Sequence, residues 1–557
     1  MNPLLMTDSY KLSHKGFCPP NTQYIYSNLT FRFDKYFKQL YPNFDHKAVW
    51  FGLQAFIKKI LIKQWNEEFF NKPKDEVLNE LKLLTSAFAM TDFSHFEALH
   101  DLGYLPIEIK SLPEGSLVNM GTPALTIVNT HPDFQWLTNY LESVLSAEIW
   151  KPTTVATVGR EFRKLSNKWA LKTTGSIEGT DFQNHDFGYR GTANTESSAA
   201  CGAGFLLSTL GTDNIPAIDF VGRYYNTDVV ENPVAFSIPA GEHSVTTLGI
   251  NYYNAEDKQQ GELEYLKWLL TEVQPSGLFS YVADSYDYWG FLENILPTLK
   301  DIIMSRDGKY VVRPDSGHVV DVICGKEFTD YSDEPTLHSA ALRFAYDYET
   351  QEDNFESIIL YQKQYYKISI SVVRDRTGLI DNYIVNRMDE YNLTIEDKGT
   401  VEWLYEVFGG TKTEQGYKLL DPHIGMIYGD GITYERAEQI FNRLHEKGFA
   451  STNVTFGIGS FSLSSGISRD SLGIAVKATN AIVDGKQIPI YKQPKTDSTK
   501  NSAKGLLKVI KNEDGSYTTL NDVTVEEEQQ GELISVFKDG KLLREQTFEE
   551  IRNLIWK

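Results

Sequence analysis

Between about residues 152 and 478, short apolar runs alternate with polar, glycine-rich tips, and helical stretches separate most of these units. Helical periodicity is clear where Ala437, Ile440, Phe441 and Leu444 are spaced at i, i+3, i+4 and i+7. The unit of a strand, a polar tip (the loop that follows the strand) and a helix occurs about seven times. This repetition predicts an α/β barrel, in which the loops after the strands meet at one face. The tips are NHDFGYRG (184–191), LGTDN (210–214), SIPAGEHS (237–244), YVADSYD (281–287), YVVRPDSG (310–317), MIYGDG (426–431) and VTFGIGS (454–460).

A doubly wound open sheet is the alternative interpretation of this pattern. Such a sheet concentrates its chemistry at one switch point rather than at every strand end. Because arginine, aspartate, histidine and glycine residues are spread over all of the tips, the barrel is the favoured architecture.

The segments on either side of the barrel have a different pattern of apolar and polar residues. Residues 1–150 mix strand and helix signals, with strand-like runs at 105–112 and 123–130. Past residue 480 the chain has two hairpin signals, each an Asp-Gly pair between apolar runs, at 514–515 and 539–540. We therefore expect an irregular α/β barrel with a flanking α+β domain that is built from both ends of the chain. The expected boundaries are 1–150, 151–480 and 481–557.

Residues 321–405 interrupt the barrel pattern. Ile368, Ile370 and Val372 alternate with polar residues, which is the period of a half-buried strand. The run at 379–385 follows a turn and is suited to return as the partner strand. We interpret the interruption as an inserted subdomain.

Composition excludes several classes of function. The chain has 557 residues, of which 41% are hydrophobic and 23% charged, as in ordinary globular proteins. Its 54 basic and 75 acidic residues give a net charge of −21, which disfavours a general nucleic-acid binder. An anionic substrate must therefore be held by a local basic cluster. We see no signal peptide and no apolar run long enough to span a membrane. Three scattered cysteines predict free thiols in a reducing compartment, the cytoplasm.

The tips carry residues suited to phosphate chemistry. Glycine-rich tips at 429–431 and 457–460 let the backbone N–H groups approach a phosphate closely. Asp284 and Asp315 are candidates for Mg²⁺, which binds one or two carboxylates together with phosphate oxygens. His243 follows an acidic residue that could orient it. Basic residues at or near the tips are candidates for an anion site: Arg190, Arg313, Arg469, Lys477, Lys500 and Lys504.

The order of these motifs resembles a known family. TDSYKLSH near the N-terminus is followed by HDFGYRG, GTD, SIPAGEHS, DSYD, RPDSG, GDG and SRD. Taken together, the set resembles the type II phosphoribosyltransferase family in its nicotinamide-using branch, over nearly the whole chain apart from the insertion. The resemblance implies transfer of the 5-phosphoribosyl group from phosphoribosyl diphosphate to nicotinamide, in NAD salvage. The nicotinate-using relatives share the barrel, so a nicotinate phosphoribosyltransferase is the alternative.

The resemblance also implies roles for individual residues. Phe187 is expected to stack on the nicotinamide ring, with Tyr10 of the partner subunit on the other face. Asp213 is expected to accept a hydrogen bond from the carboxamide N–H. The expected contacts to the phosphates are Arg190, Arg313, Arg469, Lys477 and His243, and those to the ribose and its 5′-phosphate are Gly429, Asp430, Gly459 and Ser460. Further expected substrate contacts are Ser237, Asp315 and Lys500. The positions expected near the phosphates are Asp8, Arg32 and Lys504.

Cofactors and partners follow from the same resemblance. The expected catalytic set is His243, Asp284, Arg313 and Asp315, with Mg²⁺ on the two carboxylates. His243 matches a histidine that is phosphorylated by ATP, which makes ATP a co-substrate. The expected assembly is a homodimer with shared active sites, and no nucleic acid or membrane is expected as a partner.

The sequence departs from the family pattern in three places. Ser460 stands where a second glycine is usual, and Leu506 stands where a basic residue is common. The insertion at 321–405 is far longer than the usual connection. Its possible roles are covering the site, extending the dimer, binding a partner or elaborating the surface.

Overall fold

A parallel sheet forms the centre of the computed structural model, which describes residues 1–88, 92–348, 350–491 and 503–557. Each strand is short and is followed by one of the polar tips. In spatial order the six strands are Gly211–Thr212, Asn184–Asp186, Val454–Ile458, Ile424–Tyr428, Tyr310–Arg313 and Phe279–Val282.

The segment at 236–240 joins the two edges of this sheet. Phe236 pairs with Gly211 and Ala240 pairs with Ser280, both in parallel. The Phe236 N–H donates to the carbonyl of Leu210 at 2.7 Å. Around the resulting ring the segments follow one another in chain order, as in a singly wound barrel. The predicted α/β barrel is therefore confirmed, and the doubly wound alternative is wrong.

A second, antiparallel sheet combines the two ends of the chain. The strand-like runs at 105–112 and 123–130 and the hairpin at 539–540 all belong to it, which confirms the flanking α+β domain. Its seven strands, in spatial order, are Lys486–Pro489, Ile474–Val483, Thr22–Phe31, Pro123–Asn129, Ile107–Ser111, Ile534–Lys538 and Lys541–Leu542. Three strand pairs stand apart: Lys47–Val49 with Leu117–Asn119, Gly410–Lys412 with Lys418–Leu420, and Leu506–Lys511 with Tyr517–Val523, the pair around the Asp-Gly turn at 514–515.

Helices pack around both sheets. The helix Tyr434–Glu446 begins after Thr433, whose hydroxyl accepts the N–H of Arg436, and it buries the four apolar residues that the periodicity indicates. The expected domain boundaries at 150 and 480 fall inside the helix Glu142–Thr174 and the strand Ile474–Val483. The other longer helices are Lys74–Leu84, Ser94–Leu102, Thr195–Phe205, Ile215–Tyr224, His243–Tyr253, Lys258–Trp268, Lys300–Ser305, Val319–Cys324, Leu337–Asp347, Thr400–Phe408 and Phe548–Trp556.

The insertion has its own sheet and its own core. Its strands Asn354–Tyr361, Gln364–Arg374 and Ile380–Tyr391 form an antiparallel sheet that packs on the helix Leu337–Asp347. At its base, the carbonyl of Gly325 accepts a hydrogen bond from Arg443 at 2.9 Å, near the C-terminal end of a barrel helix. That end of a barrel helix lies opposite the tips. The subdomain is therefore attached to the barrel at the end away from the tips.

Two expectations about the chain as a whole concern its cysteines and its helices. Cys18, Cys201 and Cys324 are all free thiols, as predicted. Within the four described ranges, no helix combines the length and the apolar character that crossing a bilayer requires.

A partly buried cation, Arg552, attaches the C-terminal helix to the barrel. The Arg552 guanidinium donates to the carbonyls of Leu206 and Val234 at 2.8 and 2.5 Å, and to that of Thr209 at 3.3 Å. These carbonyls precede the strand Gly211–Thr212 and the closing segment at 236–240. Burial lowers the pKa of Arg552 to about 10, which leaves it charged at neutral pH. Arg552 therefore holds together two segments that carry tips of the barrel.

Replacing Arg552 tests this connection. Arg552→Met leaves three carbonyls without their donor, and we expect a loss of about 2–4 kcal/mol of stability. Calorimetry should show a lower Tm, and limited proteolysis should release the C-terminal helix sooner. Asn553→Ala, at an exposed position of the same helix, is the control. An unchanged Tm in Arg552→Met would contradict the connecting role.

Candidate functional site

The barrel encloses a cavity of about 430 Å³ that opens among the tips. The mouth is lined by Phe187, Asp213, Ser237 and Arg313, and Lys309, which directly precedes the strand Tyr310–Arg313, also lines the cavity. The volume lies in the range of pockets that take small organic ligands. Four residues that the sequence places on separate tips are therefore brought to one cavity.

The backbones of two adjacent strands pack against Phe187. A Cβ atom at Gly429 or Gly457 would come within 2.5 or 2.2 Å of its ring carbons, so these strands approach the ring in a way only glycine permits. The buried Asp186 accepts the N–H of Gly188 at 2.7 Å and so fixes the turn after Phe187. The Arg313 guanidinium lies 5.4 Å from the ring centroid. A planar ligand would thus meet a ring that is already oriented.

Asp213 is held by two donors that use the same oxygen. His185 Nε2 lies 2.8 Å from Asp213 Oδ1, and the Ser237 hydroxyl donates to that atom at 2.8 Å. Burial by itself raises the pKa of Asp213. The pKa nevertheless lies below its ordinary value, because His185 and the Ser237 hydroxyl hydrogen-bond to the carboxylate and the charges of His185 and Arg313 favour its ionised form. Half of the side chain remains exposed. The cavity therefore presents an ionised carboxylate to whatever it binds.

His243 lies at the start of the helix His243–Tyr253, next to a buried carboxylate. Its Nε2 is 3.6 Å from Asp284 Oδ1, and its Nδ1 is 3.2 Å from the Ser285 hydroxyl. Nearly half of the imidazole is exposed, so a ligand can reach the ring. One nitrogen is thus oriented by a hydroxyl group while the other faces an acid.

Asp284 and Asp315 come together, as the sequence indicates. Asp284 Oδ2 accepts the Asp315 N–H at 2.9 Å and the Ser316 hydroxyl at 2.6 Å. Asp284 Oδ1 is buried and has no hydrogen-bond partner in the described ranges. Burial, together with the charges of Asp430, Asp315 and Asp284, raises the pKa of Tyr428. Three carboxylates therefore surround Tyr428 at this side of the mouth.

This arrangement is suitable for a magnesium ion. A buried carboxylate oxygen without a partner is a free ligand atom, and a second carboxylate lies beside it. The described residues contain no group of three or more acidic, histidine or cysteine side chains that could hold a metal ion unaided. The protein fits a cation that takes most of its ligands from a phosphorylated substrate.

Three further expected residues lie beside the mouth. Ser460 packs against the turn Tyr189–Gly191, because a Cβ atom at Gly191 would come within 2.2 Å of its Cβ. That turn carries Arg190, which is exposed. Gly459 immediately precedes the helix Ser460–Leu463. The serine that replaces the usual glycine therefore lies next to an exposed cation.

Three expected residues lie elsewhere in the chain. Lys477 is exposed on the strand Ile474–Val483, where it pairs with Asn28 in the antiparallel sheet. Tyr10 is 61% exposed near the N-terminus. Burial and the charges of Asp8 and Glu142 raise the pKa of Tyr10, whereas the nearby charge of Arg469 lowers it. Arg469 and Lys477 are therefore not on barrel tips, and Arg469 lies near Tyr10. Lys500 lies outside the described residues.

Sequence reasoning missed several residues of the mouth. His185 and Phe187 are two positions apart, so the alternation of a strand would have placed both on one face. Asp186 lies between them and points the other way, into the protein. Ser285 and Tyr428 belong to tips that the sequence singled out, but no pattern distinguished them from their neighbours.

Comparisons with known proteins agree with this geometry. The model of the "Nicotinate phosphoribosyltransferase (NAPRTase) family" matches residues 182–541. A protein of Acinetobacter baylyi named nicotinamide phosphoribosyltransferase is 40% identical over 562 residues, which cover 99% of this chain and 96% of that protein. A protein of the same name from Mycoplasma pneumoniae is 31% identical over 527 residues, or 90% and 94% of the two chains.

One solved structure supports the fold. The crystal structure of nicotinate-nucleotide pyrophosphorylase from Pyrococcus furiosus matches with a TM-score of 0.50 at 12% identity, over 99% of this chain and 93% of that one. The family match covers the barrel, and the full-length relatives extend the similarity to the antiparallel sheet. The chain belongs to the nicotinate phosphoribosyltransferase (NAPRTase) family.

Proposed function

We propose that the chain transfers the 5-phosphoribosyl group from phosphoribosyl diphosphate to nicotinamide, giving nicotinamide mononucleotide and diphosphate in NAD salvage. Two full-length relatives with that name support the proposal. The alternative substrate is nicotinate, which the name of the family suggests. Three free thiols fit the reducing cytoplasm as the location.

The observation that carries the choice of nicotinamide is the ionised Asp213 at the mouth. A carboxylate only accepts hydrogen bonds, and a carboxamide N–H₂ group can donate to it. Nicotinate would instead bring a second negative charge to the same place. Phe187 provides the face on which the pyridine ring stacks.

The rest of the mouth is suited to stabilising the charges that develop when the bond between the anomeric carbon and the diphosphate breaks. The ring nitrogen of nicotinamide is already nucleophilic, so no strong general base is needed. Arg313 and Arg190 would stabilise the diphosphate leaving group, and Gly429, Asp430, Gly459 and Ser460 would hold the ribose phosphate. Mg²⁺, when bound at Asp284 and Asp315, supplies positive charge to the diphosphate oxygens.

ATP would act through His243. Nearly half of the ring is exposed, and the Asp284 carboxylate stands 3.6 Å from Nε2, beside the nitrogen that would accept the phosphoryl group. Transfer of the γ-phosphoryl group to a ring nitrogen breaks the bond to ADP and forms a phosphohistidine, which water later hydrolyses. This cycle would couple ATP hydrolysis to turnover.

The proposed assembly is a homodimer with shared sites. Tyr10 and Arg469 lie near each other, and in the described part of one chain neither makes a hydrogen bond, ion pair or ring contact with Phe187. Tyr10, Arg469 and Lys477 would enter the mouth of the partner subunit, and the two cations among them would add positive charge there. A protein with a net charge of −21 needs such a concentration of cations to bind a diphosphate.

Substrate choice is the first test. Repulsion between two carboxylates at 4 Å is about 1 kcal/mol in water and about 4 kcal/mol at an effective dielectric near 20. Because Asp213 is half exposed, we expect a preference for nicotinamide of roughly tenfold to hundredfold in kcat/KM. Asp213→Asn should narrow this ratio, mainly by raising KM for nicotinamide.

Asp219→Asn is the matched control. Asp219 is an exposed carboxylate on the helix Ile215–Tyr224, outside the cavity, and pairs with Arg223. The control should keep the wild-type ratio. If the wild type uses nicotinate as well as nicotinamide, the proposed substrate is wrong.

The phosphohistidine is the second test. Wild-type protein incubated with ATP and Mg²⁺ should carry an acid-labile, base-stable phosphoryl group, and His243→Ala should carry none. His338→Ala is the control, because His338 is an exposed histidine on the helix Leu337–Asp347 of the insertion, which is attached to the barrel away from the tips. Equal ATP hydrolysis in wild type and His243→Ala would remove the covalent role.

Subunit mixing is the third test. Tyr10→Ala and Phe187→Ala homodimers should both be weakly active. After exchange of subunits, half of the dimers are mixed and each has one intact site, so we expect about a quarter of wild-type activity. Native mass spectrometry should verify the exchange. No recovery in verified mixed dimers would indicate a site built within one chain.

A further inference from the structure

His185 faces the cavity from the strand Asn184–Asp186 and contacts Asp213. Its Nε2 lies 2.8 Å from Asp213 Oδ1. Since a carboxylate has no hydrogen to give, Nε2 must carry the hydrogen of this bond. The Ser237 hydroxyl donates to the same oxygen, also at 2.8 Å. Within the four described ranges no hydrogen bond reaches Oδ2.

The packing around His185 fixes the direction of this bond. A Cβ atom at Gly211 would come within 2.5 Å of Nδ1, so the ring lies against the backbone of the neighbouring strand. On another side the Phe187 ring packs edge to face, with centroids 5.3 Å apart at 71°. The imidazole therefore has little freedom to turn away from Asp213.

We propose that His185 is a positioning residue that orients the Asp213 carboxylate, with Oδ1 occupied and Oδ2 left as the free acceptor facing the ligand. This orientation makes the site selective for a carboxamide over a carboxylate. The inference rests on the proposed function and concerns the same site. A carboxamide N–H would reach a single, fixed acceptor. Without the donor on His185, the Asp213 carboxylate would be free to rotate, and its ionised form would lose a stabilising hydrogen bond.

Two substitutions separate the hydrogen bond from the shape of the ring. His185→Phe keeps an aromatic ring against Gly211 and Phe187 but removes the donor. His185→Gln places an amide N–H where Nε2 lies and restores the donor. We expect kcat/KM for nicotinamide to fall roughly tenfold to hundredfold in His185→Phe, mainly through KM, as for a lost hydrogen bond to a charged group. The nicotinamide-to-nicotinate ratio should narrow, and His185→Gln should recover most of it.

His423→Phe is the matched control. His423 Nδ1 lies 2.7 Å from Asp421 Oδ1, a similar pair before the strand Ile424–Tyr428, at the end of the barrel away from the tips. This substitution should leave the ratio unchanged. Circular dichroism and Tm of all three variants should verify that each is folded.

The pH profile gives a readout that a purely structural role would not move. The charged groups facing Asp213 are His185 and Arg313, and Lys309 lies further along the cavity. Since His185 lowers the pKa of Asp213, removing it raises that pKa. Asp213 then loses its charge at a higher pH as the solution is acidified. The acid-side loss of selectivity should therefore occur at higher pH in His185→Phe than in wild type.

The outcomes distinguish this inference from the proposed function. If the wild type forms no mononucleotide from either base, the proposed function fails and the inference fails with it. If the wild type prefers nicotinamide and folded His185→Phe keeps the same ratio and pH profile, only the inference is overturned. If kcat/KM for nicotinamide falls equally in His185→Phe and His185→Gln while the nicotinamide-to-nicotinate ratio stays unchanged, His185 acts through packing. The inference is then overturned as well.

Discussion

Closure of the parallel sheet in chain order is the constraint on which the site depends. The segment at 236–240 bonds to Gly211 on one side and Ser280 on the other, and thereby joins the edges of a curled sheet. Parallel strands that close in this way direct all their carboxyl ends to one face. Residues separated by hundreds of positions, such as Phe187 and Gly429, then meet at one mouth. The closing segment itself contributes Ser237 to the cavity that it completes.

The mouth relies on aspartates whose partners give them different properties. Asp186 is fully engaged by Gly188 and neighbouring side chains, and fixes a turn. Asp213 accepts two hydrogen bonds through Oδ1, and in the described residues its Oδ2 accepts none. The carboxylate of Asp284 is buried, and in the part of the chain that the structure describes its Oδ1 has no hydrogen-bond partner, as expected of a cation ligand. The same side chain thus serves structure, recognition or ion binding according to how many donors surround it.

Charge is the other constraint. The chain as a whole is strongly acidic, and the carboxylates around Tyr428 add to the negative field at the mouth. In the described part of one chain, Arg190 and Arg313 lie on tips of the mouth, whereas Lys477 lies on the antiparallel sheet and Arg469 lies near Tyr10. In the proposed dimer, a second chain would bring these cations to the mouth and offset its negative field.

The sequence by itself determined the local elements: barrel strands, their tips, the helix at 434–446, the strands of the insertion and the hairpins past 480. These follow from periodicity and turn residues, which are local properties. It also indicated Asp284 and Arg313 as candidates, because residues at strand ends converge in any barrel, and the family resemblance pointed to Asp213. The tertiary structure alone decided that Lys477 belongs to the antiparallel sheet, that the insertion is attached away from the tips, and that His185 contacts Asp213. Those facts depend on pairing between distant segments, and no local pattern encodes which strands become neighbours.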